Sequence, residues 1–140
     1  MTVSRFAWVC GVAVMLAGST ELSAGQQASS GAGNVERGRY LVERVVMCYE
    51  CHSARDPQGN IVVGTRFKGG AMPMRPTWKA DWPLQIPRIA GLPGYTDAEA
   101  MRLLTQGAIK RDGTQLRYPM PRFRMTPQDA ADVIAYLRTL

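Results

Sequence analysis

Three residues able to do chemistry crowd into one short window, MCYECHSARD: Cys48, Cys51 and His52. His52 is the chain's single histidine, and the third cysteine, Cys10, lies far upstream. A C-x-x-C pair can serve as a redox dithiol, but that chemistry wants a thioredoxin-like strand pattern around it, and none is present. A zinc site needs a fourth ligand, and no second histidine or further cysteine is there to supply it. A structural disulfide gives no reason for histidine at the next position. The full pattern, C-x-x-C-H, is the one that attaches haem covalently. Two thiols three residues apart at the end of a helix lie along one side of the turn, where they can add to the two vinyl groups on one porphyrin edge. The histidine that follows then falls beneath the iron as an axial ligand.

No histidine remains for the other side of that iron, so methionine is the expected partner. Met47 directly precedes Cys48 and cannot reach the opposite face. Met101 falls within an expected helix, and Met125 stands just before another, where it would act as a hydrophobic staple. Met72 and Met74, in GGAMPMRP, are rivals because they lie in a loop. Met120, in RYPMPRF, is favoured: Pro119 and Pro121 stiffen the backbone on either side and hold the thioether in place. A haem with an open or displaceable distal site, acting as an enzyme or small-gas binder, stays as the alternative.

Three helices are expected to position these groups. The first runs from Asn34, a good N-cap, to about Met47, with Gly38, Leu41, Val42 and Val45 sharing a face. The second opens at TDAE, where Thr96 and Glu99 have the form of a capping box, and closes at Gly107. The third opens at TPQD: Thr126 caps, Pro127 takes the first turn and Asp129 complements the helix dipole. Its stripe is Ala130, Val133, Ile134 and Leu137. Residues 53–95 between them are rich in glycine and proline. NIVVGTRF offers thin support for a short strand pair. In this stretch Trp78 and Trp82 are read first as filling the loop's own core, and second as covering the cofactor or forming a contact surface. Loops this long, with a hydrophobic core this thin, need something else to organise them, and a large apolar disc would do so.

With 140 residues the chain suits one domain. The first 24 residues read as a secretory signal peptide: Arg5, a short apolar run from Phe6, then small residues up to Ala24. The run falls short of the ~20 residues a bilayer span requires, so no stable membrane span is expected. Residues 25–33 read as a flexible leader and 34–140 as the folded domain. Export places the two retained cysteines in an oxidising compartment, here the periplasm, and makes nucleic acid an improbable partner. The formal charge of +6 is carried mostly by arginine and suits an acidic protein partner.

From residue 34 onward the sequence resembles the small monohaem class I cytochromes c, especially those that accompany periplasmic dehydrogenases. The resemblance is carried by VERGRYLVERVVMCYECH, IPRIAGLPGYTDAEAMRLLTQG, YPMPRF and DVIAYLRTL. It implies an all-α, small cytochrome c fold: three to four short helices wrapped around one covalently bound haem c per chain, with long loops between them. It implies an electron carrier rather than an enzyme, taking electrons from a dehydrogenase and passing them to an oxidase or another cytochrome. It further implies that Gly38 sits where the first and last helices cross, near Tyr136, and that the Pro87 carbonyl accepts the Nδ1–H of His52. Arg117, Arg122 and Arg124, which flank Met120, are candidates for partner docking.

Overall fold

The computed structural model describes residues 32–107 and 110–140. The expected signal peptide, and all of the leader except Ala32 and Gly33, lie outside the described residues.

Each helix begins where a side chain satisfies a backbone N–H that the helix leaves unpaired. Helix α1, Val35–Tyr40, starts under Asn34, whose side chain accepts from the Arg37 N–H at 2.9 Å. It continues into one wider, π-helical turn, Leu41–Val45, closed by the Val46 N–H on the Leu41 carbonyl at 2.8 Å. The helix stops at Val46, one residue sooner than expected, because Met47 turns left-handed at φ 53. A single 3-10 turn, Cys48–Glu50, follows. Helix α2, Asp97–Thr105, carries the full capping box: Thr96 Oγ1 accepts from Glu99 N–H at 3.2 Å, and Glu99 accepts from Thr96 N–H at 2.8 Å. Helix α3, Pro127–Arg138, starts under Thr126 with proline in its first turn.

Among the described residues strand structure is slight. Strands β1, Gly70–Ala71, and β2, Gln85–Ile86, pair antiparallel with Gly70 opposite Ile86. The stretch NIVVGTRF forms no strand pair; it contributes only an isolated bridge between Ile61 and Arg55. Its amides turn back locally instead, Thr65 N–H to the Val62 carbonyl and Lys68 N–H to the Thr65 carbonyl, and Val63 is left 98% exposed. β-branched residues favour strands only where a sheet offers them neighbours, and here none does.

The organising contact is the crossing of α1 over α3. At Gly38 a Cβ would stand 1.9 Å from the Asp132 carbonyl oxygen and 2.9 Å from Tyr136 Cβ, so backbone meets backbone and only glycine fits. Asp132, fully buried, stitches the crossing: its carboxylate accepts from Asn34 N–H at 2.7 Å and from Gln128 at 2.8 Å, and lies 3.3 Å from Arg37. Around the crossing, Val42, Ala130, Val133, Ile134 and Leu137 form the core with Phe67, Ala90, Ala100 and Leu104. Each of the larger aliphatics contributes roughly 1.5–3 kcal/mol by leaving water.

Candidate cofactor site

That core is open on one side. Val42, Ala100, Leu104, Val133 and Leu137 all border a cavity of about 550 Å³, whose lining is overwhelmingly apolar. The size falls within the range of sites that take up a sizeable organic ligand, roughly 300–1,000 Å³.

Cys48, Cys51 and His52 lie together on its wall. The left-handed Met47 and the 3-10 turn place them there, and the turn is completed by His52 N–H on the Cys48 carbonyl at 2.9 Å. The two cysteines form no disulfide with each other. Burial pushes the Cys48 thiol up to about 11, so it stays protonated at neutral pH. A thiol in that condition is a poor redox nucleophile, since the thiolate is the reactive form. Among the described residues no cluster of three or more His, Cys, Asp or Glu is arranged to hold a metal ion. Neither the dithiol nor the zinc chemistry gains support.

His52 is 7% exposed, and its Nδ1 lies 2.8 Å from the Pro87 carbonyl oxygen. A carbonyl only accepts, so Nδ1 carries the proton in this pairing. Burial pushes the imidazole below its ordinary value, against the opposing effect of the Pro87 bond. The neutral ring then keeps a lone pair on Nε2, as metal ligation requires. Its backbone is held as well. The Gly69 N–H donates to the His52 carbonyl at 3.0 Å. The buried Ser53 hydroxyl donates to the Tyr49 carbonyl at 2.6 Å and accepts from Phe67 N–H at 3.3 Å.

Four methionines border the cavity: Met47, Met72, Met120 and Met125. Met120 comes with both flanking prolines, while Met125 also packs on the core. Met74 is 48% exposed and lies off the lining, and Met101 packs against the core instead. Of the three arginines near Met120, Arg117 reaches the cavity rim and pairs with Asp81 at 3.0 Å. Arg122 stacks its guanidinium 5.7 Å from the Tyr118 ring, and Arg124 is exposed. Gly38 and Tyr136 sit at the helix crossing rather than on the lining. The Tyr136 hydroxyl donates to Glu43, and burial together with that bond pushes the phenol up to about 12.

Trp78 does not fill a loop core. It is 64% exposed, at the tip of the segment that joins β1 to β2. Trp82 braces it edge-to-face at 6.4 Å and donates its indole N–H to the Met74 carbonyl at 2.9 Å. Leu84, also on this segment, is 68% exposed. The segment adjoins the cavity through Met72, Pro83 and Gln85, and the Asp81–Arg117 pair ties it to the Met120 loop. Sequence reasoning missed this link and the role of Gly69, since GG reads only as a turn.

These residues suit a covalently held haem: an apolar cavity, two thiols and a neutral imidazole on one wall, and thioethers elsewhere on the lining. A family model described as Cytochrome c matches residues 35–140. No curated protein matches the chain.

Proposed function

The chain belongs to the cytochrome c family, and from that premise we propose that it is a periplasmic electron carrier with one haem c, ligated by His52 and Met120. The observation that carries the reading is that Cys48, Cys51, His52 and Met120 border one apolar cavity. When bound, the haem supplies a one-electron Fe(III)/Fe(II) couple. The chain does the rest. Cys48 and Cys51 hold the group by thioether bonds. His52 is kept in the ligating tautomer by Pro87, and Met120 is presented on a backbone stiffened by Pro119 and Pro121. The apolar lining excludes water and disfavours added charge, and thioether sulfur favours Fe(II); both raise the potential relative to bis-histidine ligation. With His52 and Met120 both on the iron, the haem would offer no open position for a substrate, which accords with a carrier and not an enzyme.

The docking face is the cavity rim. The exposed Trp78, Leu84 and Tyr118, with the exposed cations Arg75, Lys79, Arg117, Arg122 and Arg124, all fall in the two loops, 72–85 and 117–124, that border the cavity. An aromatic anchor among cations suits an acidic redox protein, with a dehydrogenase as donor and an oxidase or another cytochrome as acceptor. Periplasmic placement rests on the signal-like first 24 residues.

Spectroscopy of the holoprotein tests the ligation. The oxidised wild type is expected to be low-spin, with the near-red charge-transfer band of sulfur on iron, and Met120→Ala is expected to abolish that band. Loss of the band in Met72→Ala, with its survival in Met120→Ala, would transfer the ligand role to Met72. A high-spin wild type that binds carbon monoxide readily would sink the carrier reading itself.

A further inference from the structure

We propose that Gly69 is a positioning residue: it fixes the Pro87 carbonyl on His52 and thereby tunes the reduction potential. The inference rests on the proposed ligation by His52 and concerns a residue outside the attachment motif.

His52 is anchored at two points. Its ring reaches the Pro87 carbonyl at 2.8 Å, and its own carbonyl receives the Gly69 N–H at 3.0 Å. Gly69 is therefore bonded to the residue whose ring Pro87 holds. It also sets how near Pro87 can come. A Cβ at Gly69 would stand 2.4 Å from the Ile86 oxygen and 2.8 Å from both Pro87 C and Arg88 N. All three contacts are backbone atoms, with no flexible tip able to swing aside, and they bracket the carbonyl that holds the ring. Gly69 also has φ 78, in the left-handed region that favours glycine.

The strap carrying Pro87 is fixed at both ends. Ile86 pairs with Gly70 in the small sheet. The Phe67 carbonyl accepts from Ile89 N–H at 2.9 Å and from Ala90 N–H at 3.0 Å. A side chain at position 69 would therefore bow the strap between these fixed points, at Pro87 and Arg88. Gly69 holds the His52 backbone while Pro87 holds its ring, so displacing the strap at Pro87 shifts the carbonyl that accepts from Nδ1. Bringing Pro87 C from 2.8 Å to ordinary contact at 3.4 Å asks for a shift of about 0.6 Å, which taken along the ring bond would stretch it beyond good hydrogen-bond range.

The electronic consequence has a definite sign. An Nδ1–H bonded to a carbonyl makes the imidazole a stronger donor, which favours Fe(III). Weakening that bond favours Fe(II), so the potential rises.

Gly59 supplies the control. It shares the left-handed conformation, at φ 90, but a Cβ there would meet nothing within 4 Å. The experiment compares holoprotein, with haem attached, as wild type, Gly69→Ala and Gly59→Ala. Equilibrium potentiometry is expected to show Gly69→Ala shifted about tenfold toward Fe(II), which is ~59 mV for one electron. NMR is expected to show faster exchange of its His52 Nδ1–H. Gly59→Ala is expected to lose stability through the same backbone strain while keeping both the potential and the ring proton of the wild type. Equal shifts in the two variants, or none in Gly69→Ala, overturn the inference. Should Gly69→Ala fail to fold, hydrogen exchange of the wild type decides. Ring proton and Gly69 amide opening with one shared free energy supports the strap; a ring proton that exchanges while the Gly69 amide stays protected overturns it. A wild-type spectrum without nitrogen ligation would instead strike the His52 reading on which the inference stands.

Discussion

Replacing Gly38 by alanine tests the helix crossing most directly. The added Cβ would lie 1.9 Å from the Asp132 carbonyl oxygen, where ordinary contact begins at 3.4 Å, so α1 and α3 must separate by about 1.5 Å. A gap of that size forfeits more than half of the dispersion attraction between facing atoms, since 0.5–1 Å already costs a quarter to a half. It also pulls Asn34 N–H off the Asp132 carboxylate, now at 2.7 Å, a charged hydrogen bond worth about 1.5–3 kcal/mol. Overpacking adds roughly 1–3 kcal/mol. Alanine's better helix propensity returns only about 1 kcal/mol. The net loss is about 3 kcal/mol, and the assay is urea unfolding of oxidised holoprotein followed by far-ultraviolet circular dichroism. With a slope near 1.5 kcal/mol per molar, the midpoint is expected to fall by about 2 M. Gly33→Ala serves as a comparison. Its Cβ would meet the Ala131 oxygen at 2.1 Å, but Gly33 precedes the helix and can swing outward, so a smaller loss is expected. A Gly38→Ala stability within about 0.5 kcal/mol of wild type would refute the tight crossing.

Two further outcomes are expected. Tyr136→Phe removes the donor to Glu43; since the folded phenol is pushed from 10.0 up to about 12, wild-type stability is intact below pH 10 and declines as pH rises toward 12, and the variant should lose that component of the alkaline decline in a pH series of urea midpoints. The same pairing holds the Glu43 carboxyl below its ordinary 4.5, so its contribution is present above that pH and disappears as pH falls through the lower folded value; an unchanged acid limb in Tyr136→Phe would show that the bond contributes nothing. Trp78→Ala should leave the unfolding free energy within about 0.5 kcal/mol of wild type, because the indole is exposed. Stopped-flow reduction should slow with a protein donor and stay unchanged with ascorbate, and equal slowing with both would remove Trp78 from the docking face.

Local chemistry was the legible part of this chain. Asn34, Thr96 and Thr126 announce their helices because each caps an amide only three residues away. The attachment window is legible for the same reason: its geometry lies within a single turn. Features built by long-range approach were not. NIVVGTRF has strand-like residues but finds no sheet, whereas Gly70–Ala71 and Gln85–Ile86 pair because Gly69 beside them lets the 86–88 backbone come close. By type alone Trp78 suggests a core residue. Its surroundings are set by its loop, where Trp82 bonds to Met74 and Asp81 reaches Arg117 across 36 positions, and residue type does not report that. Methionine choice was open for a related reason. Which thioethers border the cavity depends on how the 72–85 and 117–122 loops close together, and both Met72 and Met120 end on its lining.

The pairing of α1 with α3 also governs how the chain can fold. Asn34 bonds to Asp132 across 98 positions, and Arg37 to Asp129 across 92. Closing a loop of that length costs about 2 kcal/mol more in chain entropy than closing one of ten residues. Nothing is gained in return until α3 is present and docked, because Gly38 and the residues around it have no other surface to cover. Synthesis of the segment holding the C-x-x-C-H turn is thus separated from its final burial by most of the chain. The turn itself needs no such wait: its His52 N–H to Cys48 carbonyl bond is local, so it can form before the last helix arrives to complete the core.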